Sequence, residues 1–511
     1  MLAVLKSCSL LGIKGFIIRV EVDINRGLPA FDIVGLPDTA VRESRERVKS
    51  AIKNSGYEFP VKRITINLAP ADIKKIGPHF DLAIASGILA AQNVISVNQI
   101  NNYLIVGELS LNGDVQKVKG ILPMVLTASK NNCKGVILPA KNKLEASLVE
   151  GIDIIPINHI SDLINFFGKN KKDYIFSNKR EGILVNKKVK NYKIDFSEIK
   201  GQHEAKRAIE IAVAGSHNLI MIGPPGVGKT MLAKRIPTIM PPLLKEEQLE
   251  VSRIQSIVGK INIANGLQTQ RPFRTPHHSI TGAAMFGGGK LPVPGEISLA
   301  HKGVLFLDEI SEYRRSVLEL LRQPLEEKKV TISRSTMTVD FPAEFMLIAS
   351  SNPCPCGYYG DPRRECHCTI NQVRRYRNKI SGPLLDRIDI QLEIPSLSVD
   401  ELTEYKKGEK SKKIRKRVMV AHKIQHFRYK NKNFTNKSQL NGENLNKYCK
   451  LHKKNKILLK NAIRELGLSA RAYDRILRVA RTIADLEKDE NIKSDHLAEA
   501  IQYRRLEREI N

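Results

Sequence analysis

One stretch limits this chain more than any other. Leu219-Ile220-Met221-Ile222 is short and apolar, which suits a strand buried on both faces. Gly223-Pro224-Pro225-Gly226-Val227-Gly228-Lys229-Thr230 follows at once, and residues 231–235 read as the opening of a helix. A strand, a glycine-rich turn and a helix that begins Lys-Thr together form the spacing that wraps a polyphosphate. The glycines let backbone N–H groups turn inward, and the helix N-terminus adds partial positive charge. Lys229 is expected to reach the outer phosphates and the Thr230 hydroxyl to ligate Mg²⁺, so ATP with Mg²⁺ is the expected pair.

A second strand supplies acid. Residues 304–307 are apolar and end in Asp308 and Glu309. Ligands in open α/β sheets bind at the carboxyl ends of strands. Asp308 is expected to hold Mg²⁺ through its water shell, and Glu309 to polarise the attacking water. The next apolar strand, 345–349, runs into Ser350-Ser351-Asn352. The Asn352 amide suits a sensor that hydrogen-bonds the attacking water or the γ-phosphate.

Two arginines complete the candidate catalytic set. Arg387, in Gly382-Pro-Leu-Leu-Asp-Arg-Ile-Asp389, lies between a short helix and an apolar segment, the place for a finger acting in trans on a transferring phosphoryl group. The other reading is a salt bridge to Asp386 or Asp389. Arg471 follows Ser469, a candidate N-cap, on a helix whose apolar stripe is Ala472, Ile476, Val479 and Ile483. It suits contact with the γ-phosphate from a lid. The other reading is a solvated basic face shared with Arg475 and Arg478.

Four of the seven cysteines crowd one loop, as Cys354-Pro-Cys356 and Cys366-His-Cys368. Two such pairs can wrap one tetrahedral Zn²⁺. Redox thiols or plain reduced cysteines are the alternatives. A disulfide framework would scatter them through a small secreted chain, so a reducing, cytoplasmic setting is expected. The N-terminal 20 residues are interrupted by Lys6, Lys14 and Arg19 and show no signal-peptide cleavage pattern. No run reaches the ~18 consecutive apolar residues of a membrane span.

The organisation reads as three parts. Residues 1–168 mix strands (15–24, 63–68, 134–139) with helices (40–55, 81–91) and a hairpin over 103–116 that turns at Asn112-Gly113. Residues 169–192 have the Lys/Asn-rich composition of a linker. Residues 193–398 alternate buried strands with helices, which argues for a parallel sheet flanked by helices. Residues 399–511 read as helical and basic. The net charge of +30, from 83 Lys plus Arg against 53 Asp plus Glu, favours a polyanion partner. A Lys/Asn-rich genome is the rival explanation.

Residues 223–230, 304–309, 318–339, 350–352, 384–389 and 469–471 together resemble the magnesium-chelatase-like branch of the AAA+ ATPases. Within it they resemble the ComM/YifB family most, through Arg274-Thr-Pro-His-His-Ser279, Gly295-Glu-Ile-Ser-Leu-Ala300, Asn352-Pro-Cys-Pro-Cys-Gly357 and Phe31-Asp-Ile-Val-Gly-Leu-Pro37. The resemblance implies an α/β P-loop AAA+ core with a helical lid, assembled as a hexameric ring. Such a ring translocates on single-stranded or branched DNA and drives branch migration in recombination during natural transformation. It also implies a β-hairpin at 328–341, with Arg334 near its tip facing a central channel, and a second insertion at 273–295. Residues 1–168 resemble the Lon-protease C-terminal domain, an α+β fold of the ribosomal S5 domain 2 type. Where Lon carries its nucleophilic serine, this chain has Gly77-Pro-His79-Phe-Asp81, and Leu122 stands where the Lon lysine belongs. A Ser–Lys dyad needs both members, so no peptidase activity is expected. The rival functions are a protein-remodelling or metal-chelatase-like ATPase, and a DNA-binding module with a nucleotide switch.

Overall fold

The computed structural model describes residues 1–168, 174–176, 192–261, 267–289, 292–334, 337–396, 408–429 and 442–504. The chain divides into two compact units. One is residues 1–188 with 245–268; the other is residues 189–244 with 269–511.

The first unit is built on seven strands: β1 (Leu2–Leu11), β2 (Lys14–Asn25), β3 (Ala30–Val34), β4 (Arg63–Ala69), β5 (Tyr103–Ile105), β8 (Gly135–Pro139) and β9 (Asp153–Ile157). A two-strand ribbon, β6 (Glu108–Leu109) with β7 (Val115–Gln116), lies between β5 and β8 in sequence. The sheet order is β3-β4-β2-β1-β5-β8-β9. Its β1–β2 and β2–β4 pairs are antiparallel, and the other pairs are parallel. The charged interruptions at Lys6, Lys14 and Arg19 thus belong to the two longest strands of the unit. On β4 buried and more exposed side chains alternate along its length, the period of a half-buried strand. The helix Asp81–Ala91 is buried at every residue, as its small apolar side chains allow.

Two expectations change here, and a third falls mostly outside the described residues. The hairpin expected over 103–116 is only the short ribbon turning through Gly113 (φ +94°), while Tyr103–Ile105 joins the main sheet in parallel with β1 and β8. The linker expected over 169–192 lies outside the described residues apart from 174–176 and 192. Tyr174 and Ile175 pack on the first core, and Phe176 bridges to Ile154. Residues 245–268, expected inside the ATPase core, belong to the first unit. The helix Lys245–Ile257 packs along Ile121–Lys130. The Glu145 carboxylate, buried there, accepts hydrogen bonds from Ser256 Oγ (2.5 Å), Leu122 N (3.3 Å) and Asn142 Nδ2 (3.2 Å). A buried carboxylate without such donors would cost several kcal/mol, about the penalty for leaving a charge unpaired.

The second unit holds a fully parallel five-stranded sheet. Its strands are β10 (Leu219–Ile222), β11 (Phe273–Arg274), β14 (Val304–Leu307), β17 (Met346–Ser351) and β18 (Ile390–Glu393), in the order β11-β14-β17-β10-β18. Two antiparallel ribbons accompany it: β12 (Gly287–Gly288) with β13 (Val293–Pro294), and β15 (Lys329–Arg334) with β16 (Met337–Pro342). The second ribbon is the expected hairpin. Arg334 is exposed, and the tip residues 335–336 lie outside the described ones. The insertion expected to begin at Phe273 begins later, because Phe273 and Arg274 form the sheet's edge strand.

Five helices occupy the described part of residues 399–511: Ser411–Tyr429, Gly442–Tyr448, Lys453–Leu466, Ala470–Leu486 and Ser494–Gln502. Ser469 caps the fourth, its hydroxyl accepting from Ala472 N at 3.2 Å. The stripe Ala472, Ile476, Val479 and Ile483 is buried in the same core as β10 and β17. No helix among the described residues is long and apolar enough to cross a membrane.

Candidate nucleotide site

The sheet order sets the site. β10 lies between β17 and β18, and β14 lies beside β17, so the carboxyl ends of β10, β17 and β14 stand together. The phosphate loop leaves β10 at Gly223, whose N–H donates to Ser351 O (3.2 Å). A Cβ on Gly223 would lie 2.3 Å from Ile394 O, so that glycine supplies room. Gly226 and Gly228 meet open space but hold φ of +81° and +91°, so those glycines supply conformation. The helix Lys229–Ile239 starts where the loop ends.

Lys229 is buried beneath the loop. Its ammonium donates to Gly223 O (2.5 Å), Pro224 O (2.9 Å) and Asn352 Oδ1 (3.0 Å). Burial pulls its pKa down to about 8, against the pull of Asp308 and Glu309. A charge held this way gains much by meeting a phosphate oxygen. Thr230 Oγ1 donates to Asp308 Oδ2 at 2.8 Å. A hydroxyl and a carboxylate, both hard oxygen donors, thereby converge beside the lysine. That donor set fits Mg²⁺, which takes few protein ligands alongside substrate phosphates.

Ser350, given no role of its own by the sequence, organises the acidic pair. Its hydroxyl donates to Asp308 Oδ1 and accepts from Glu309 N (3.0 Å). Glu309 holds a left-handed backbone (φ +51°), a conformation worth about 1–2 kcal/mol of strain in a residue with a Cβ. The Ser350 contact helps to hold it. The signal lay in strand register: Leu307 pairs with Ala349, so the next residues, Asp308 and Ser350, are neighbours. Tyr313, buried and near Asp308, donates its hydroxyl to Pro276 O at 2.5 Å and so ties the loop carrying His277 and His278 to the acidic turn. Arg274 grips Glu296 with two hydrogen bonds of 2.6 Å.

The two arginines part company. Arg387 is buried, with 7% of its side chain exposed. It pairs with neither Asp386 nor Asp389, the expected salt-bridge partners, but with Glu326, and donates to Pro383 O at 2.6 Å. Its backbone O accepts from Asn218 Nδ2 (3.0 Å), while Asn218 Oδ1 accepts from Leu347 N (3.0 Å). Asn218, missed in the sequence, thus joins the starts of β10, β17 and β18. Arg471 is 60% exposed and only 3.9 Å from Asp386. The basic face expected to unite Arg471, Arg475 and Arg478 does not exist, because Arg475 and Arg478 turn inward. Arg475 reaches buried Asp389 at 2.5 Å. Burial works to raise the Asp389 pKa, but Arg475, His217 and Arg478 outweigh it and hold the carboxyl below its usual range.

The four loop cysteines come together. Sγ–Sγ separations are 3.3 Å for Cys354–Cys356, 3.7 Å for Cys354–Cys366 and 3.6 Å for Cys356–Cys366. Cys368 joins them within 4.8 Å. In the first unit, the stretch resembling the Lon nucleophile has its polar groups spoken for. His79 is buried with Nε2 2.9 Å from Cys8 O, and burial pushes its pKa down to about 4. Asp81 accepts two hydrogen bonds from Arg47, at 2.7 and 3.0 Å.

Known proteins place this architecture. The family described as magnesium chelatase, subunit ChlI, matches residues 195–402; its C-terminal part matches 408–504, and subunit ChlI of Mg-chelatase matches 20–142. YifB of Salmonella typhimurium is 43% identical over 510 residues, covering 99% of this chain and 98% of its own. Competence protein ComM of Haemophilus influenzae is 42% identical over 509 residues, again covering 99% and 98%. Lon protease 2 of Bacillus subtilis is 27% identical over 170 residues, 30% of each chain. The parallel sheet, the phosphate loop and similarity along almost the whole chain lead to one conclusion: this chain belongs to the ComM/YifB family of magnesium-chelatase-like AAA+ ATPases.

Proposed function

We propose that this chain is an ATP-driven DNA motor, a cytoplasmic hexameric ring that drives branch migration of recombination intermediates in natural transformation. The observation that carries the reading is the convergence of Lys229, Asn352, Thr230, Asp308 and Glu309 at three adjacent strand ends. Lys229, freed from its carbonyl partners, neutralises the β- and γ-phosphates. Asn352, already bonded to Lys229, senses the terminal phosphate. Thr230 and Asp308 hold Mg²⁺, which supplies charge neutralisation on the phosphates when bound. Glu309 orients the attacking water and takes up its proton. Arg471 reaches a neighbouring subunit's phosphate from the lid, and Arg387 acts as the second finger once Glu326 releases it. The cysteine loop takes Zn²⁺.

DNA as the track is supported by the +30 charge, the exposed Arg334 on its hairpin, and a relative named as a competence protein. With His79 in the serine position, the first unit acts in DNA binding or ring stability rather than peptide cleavage. A second reading, remodelling of protein or insertion of metal, draws on the family's magnesium-chelatase description. Titrating ATPase activity with single-stranded DNA, forked DNA and unfolded protein separates the two. Stimulation of several-fold by forked DNA, fading steeply as salt rises, is the expected result. Stimulation by protein alone would overturn it.

A further inference from the structure

Residues 352–369 form a long loop with neither helix nor strand, between β17 and the helix Ile370–Arg377. Loops of this length inside a compact unit need something to hold them. Apolar burial does little of it: Pro353, Cys354 and Gly357 are the buried residues of the loop, and Tyr359 stands 45% exposed. What the loop does contain is four free thiols gathered around one point.

The spacing of those thiols identifies what fits between them. A Zn–S bond of about 2.3 Å gives a tetrahedron whose sulfur–sulfur edge is about 3.8 Å. The edges in the structure are 3.3, 3.6 and 3.7 Å, already close to that figure. Four thiolates select a soft or borderline cation over Mg²⁺ or Ca²⁺. A tetrathiolate zinc carries two net negative charges, and Arg363, Arg364 and Arg377 lie in or beside the loop.

The loop also touches the nucleotide machinery at two places. Asn352, whose Oδ1 accepts from Lys229, stands two residues before Cys354. Gly357, one residue after Cys356, packs directly on the phosphate loop, and a Cβ there would lie 2.8 Å from Pro225 Cδ. Its φ of +89° is the left-handed conformation that glycine makes cheap. Arg377 Nε braces the start of the loop by donating to Pro353 O at 3.3 Å.

We propose that Cys354, Cys356, Cys366 and Cys368 bind one Zn²⁺, and that this ion is a splint that fixes Asn352 and Pro225 in their places, so that metal occupancy sets nucleotide affinity. This rests on the nucleotide-binding reading above. The four thiolates orient the loop and do not touch the phosphates, which makes them positioning residues.

The test uses the full-length protein. Metal analysis gives zinc per chain, Co²⁺ replacement gives the thiolate charge-transfer bands of a tetrahedral S₄ site, and equilibrium titration with a fluorescent ATP analogue gives affinity. One zinc per chain is expected. The double variant Cys366→Ser/Cys368→Ser is expected to lose the metal and to bind nucleotide about tenfold more weakly. Gly357→Val keeps all four thiols but collides with Pro225, so it should keep the metal and still weaken nucleotide binding. Should the serine variant unfold, Gly357→Val and chelator-stripped wild type carry the same question. A stripped protein that binds nucleotide with unchanged affinity overturns the splint, as does purified protein with less than a stoichiometric ion. Metal-loaded protein that binds no nucleotide at all overturns the nucleotide reading instead, and the two failures are told apart by the metal content.

Discussion

The two units use the same materials to opposite ends. Each has a sheet with a glycine-bearing turn opening a helix: Gly77-Pro78 before Asp81–Ala91 in the first, Gly228 before Lys229–Ile239 in the second. Each buries charged side chains at that turn. In the first unit these groups are consumed. Arg47 holds Asp81 through two hydrogen bonds, and His79 is turned onto Cys8 O with its pKa pushed down to about 4. In the second, Lys229, Thr230, Asp308 and Asn352 hold one another through single hydrogen bonds that a phosphate or a metal can replace. What separates a site from a fold feature here is whether its polar partners can be exchanged for a ligand.

The sharpest way to break that contrast is Lys229→Ala. It removes the ammonium bonded to Asn352 Oδ1, and ATP turnover should fall by about a hundredfold or more while DNA binding persists in part. Normal hydrolysis by this variant would place the site elsewhere. Ser350→Ala should act more mildly. It strips one donor from Asp308 and one acceptor from Glu309 N, so turnover should drop roughly five- to tenfold, in line with about 1–1.5 kcal/mol for a hydrogen bond. An unchanged rate would mean that Ser350 only fills space. Asp81→Asn sharpens the other side. Leaving the Arg47 guanidinium without its carboxylate should lower the first unit's stability by about 1–3 kcal/mol, read by thermal or denaturant unfolding, with ATP turnover per folded chain unchanged. A matching loss of turnover would mean that the first unit takes part in the chemistry.

Much of the second unit was legible because its signals are local. A phosphate loop must follow a strand and open a helix, and an acidic pair must end a strand. The stripe Ala472, Ile476, Val479, Ile483 follows helical period alone, and it is buried as that period requires. What escaped depends on pairing across the chain. Ser350 matters because β14 and β17 align Leu307 with Ala349, and no spacing in sequence announces that. Asn218 matters because three strands begin around it. The helix Lys245–Ile257 looks like any amphipathic piece of the core, and its packing along Ile121–Lys130, with Ser256 meeting Glu145, is what puts it in the first unit. Arg387 and Arg475 have partners that spacing does not name: burial rather than sequence distance pairs Arg387 with Glu326 and turns Arg475 inward onto Asp389.

The central claim is that Glu309 drives hydrolysis at a site built to hold ATP without it. The direct measurement is Glu309→Gln, assayed for nucleotide binding and for turnover on the same preparation. Retained ATP affinity with hydrolysis reduced by about a hundredfold or more is the result expected for loss of a general base. Glu309→Gln protein that hydrolyses ATP at the wild-type rate would contradict the account.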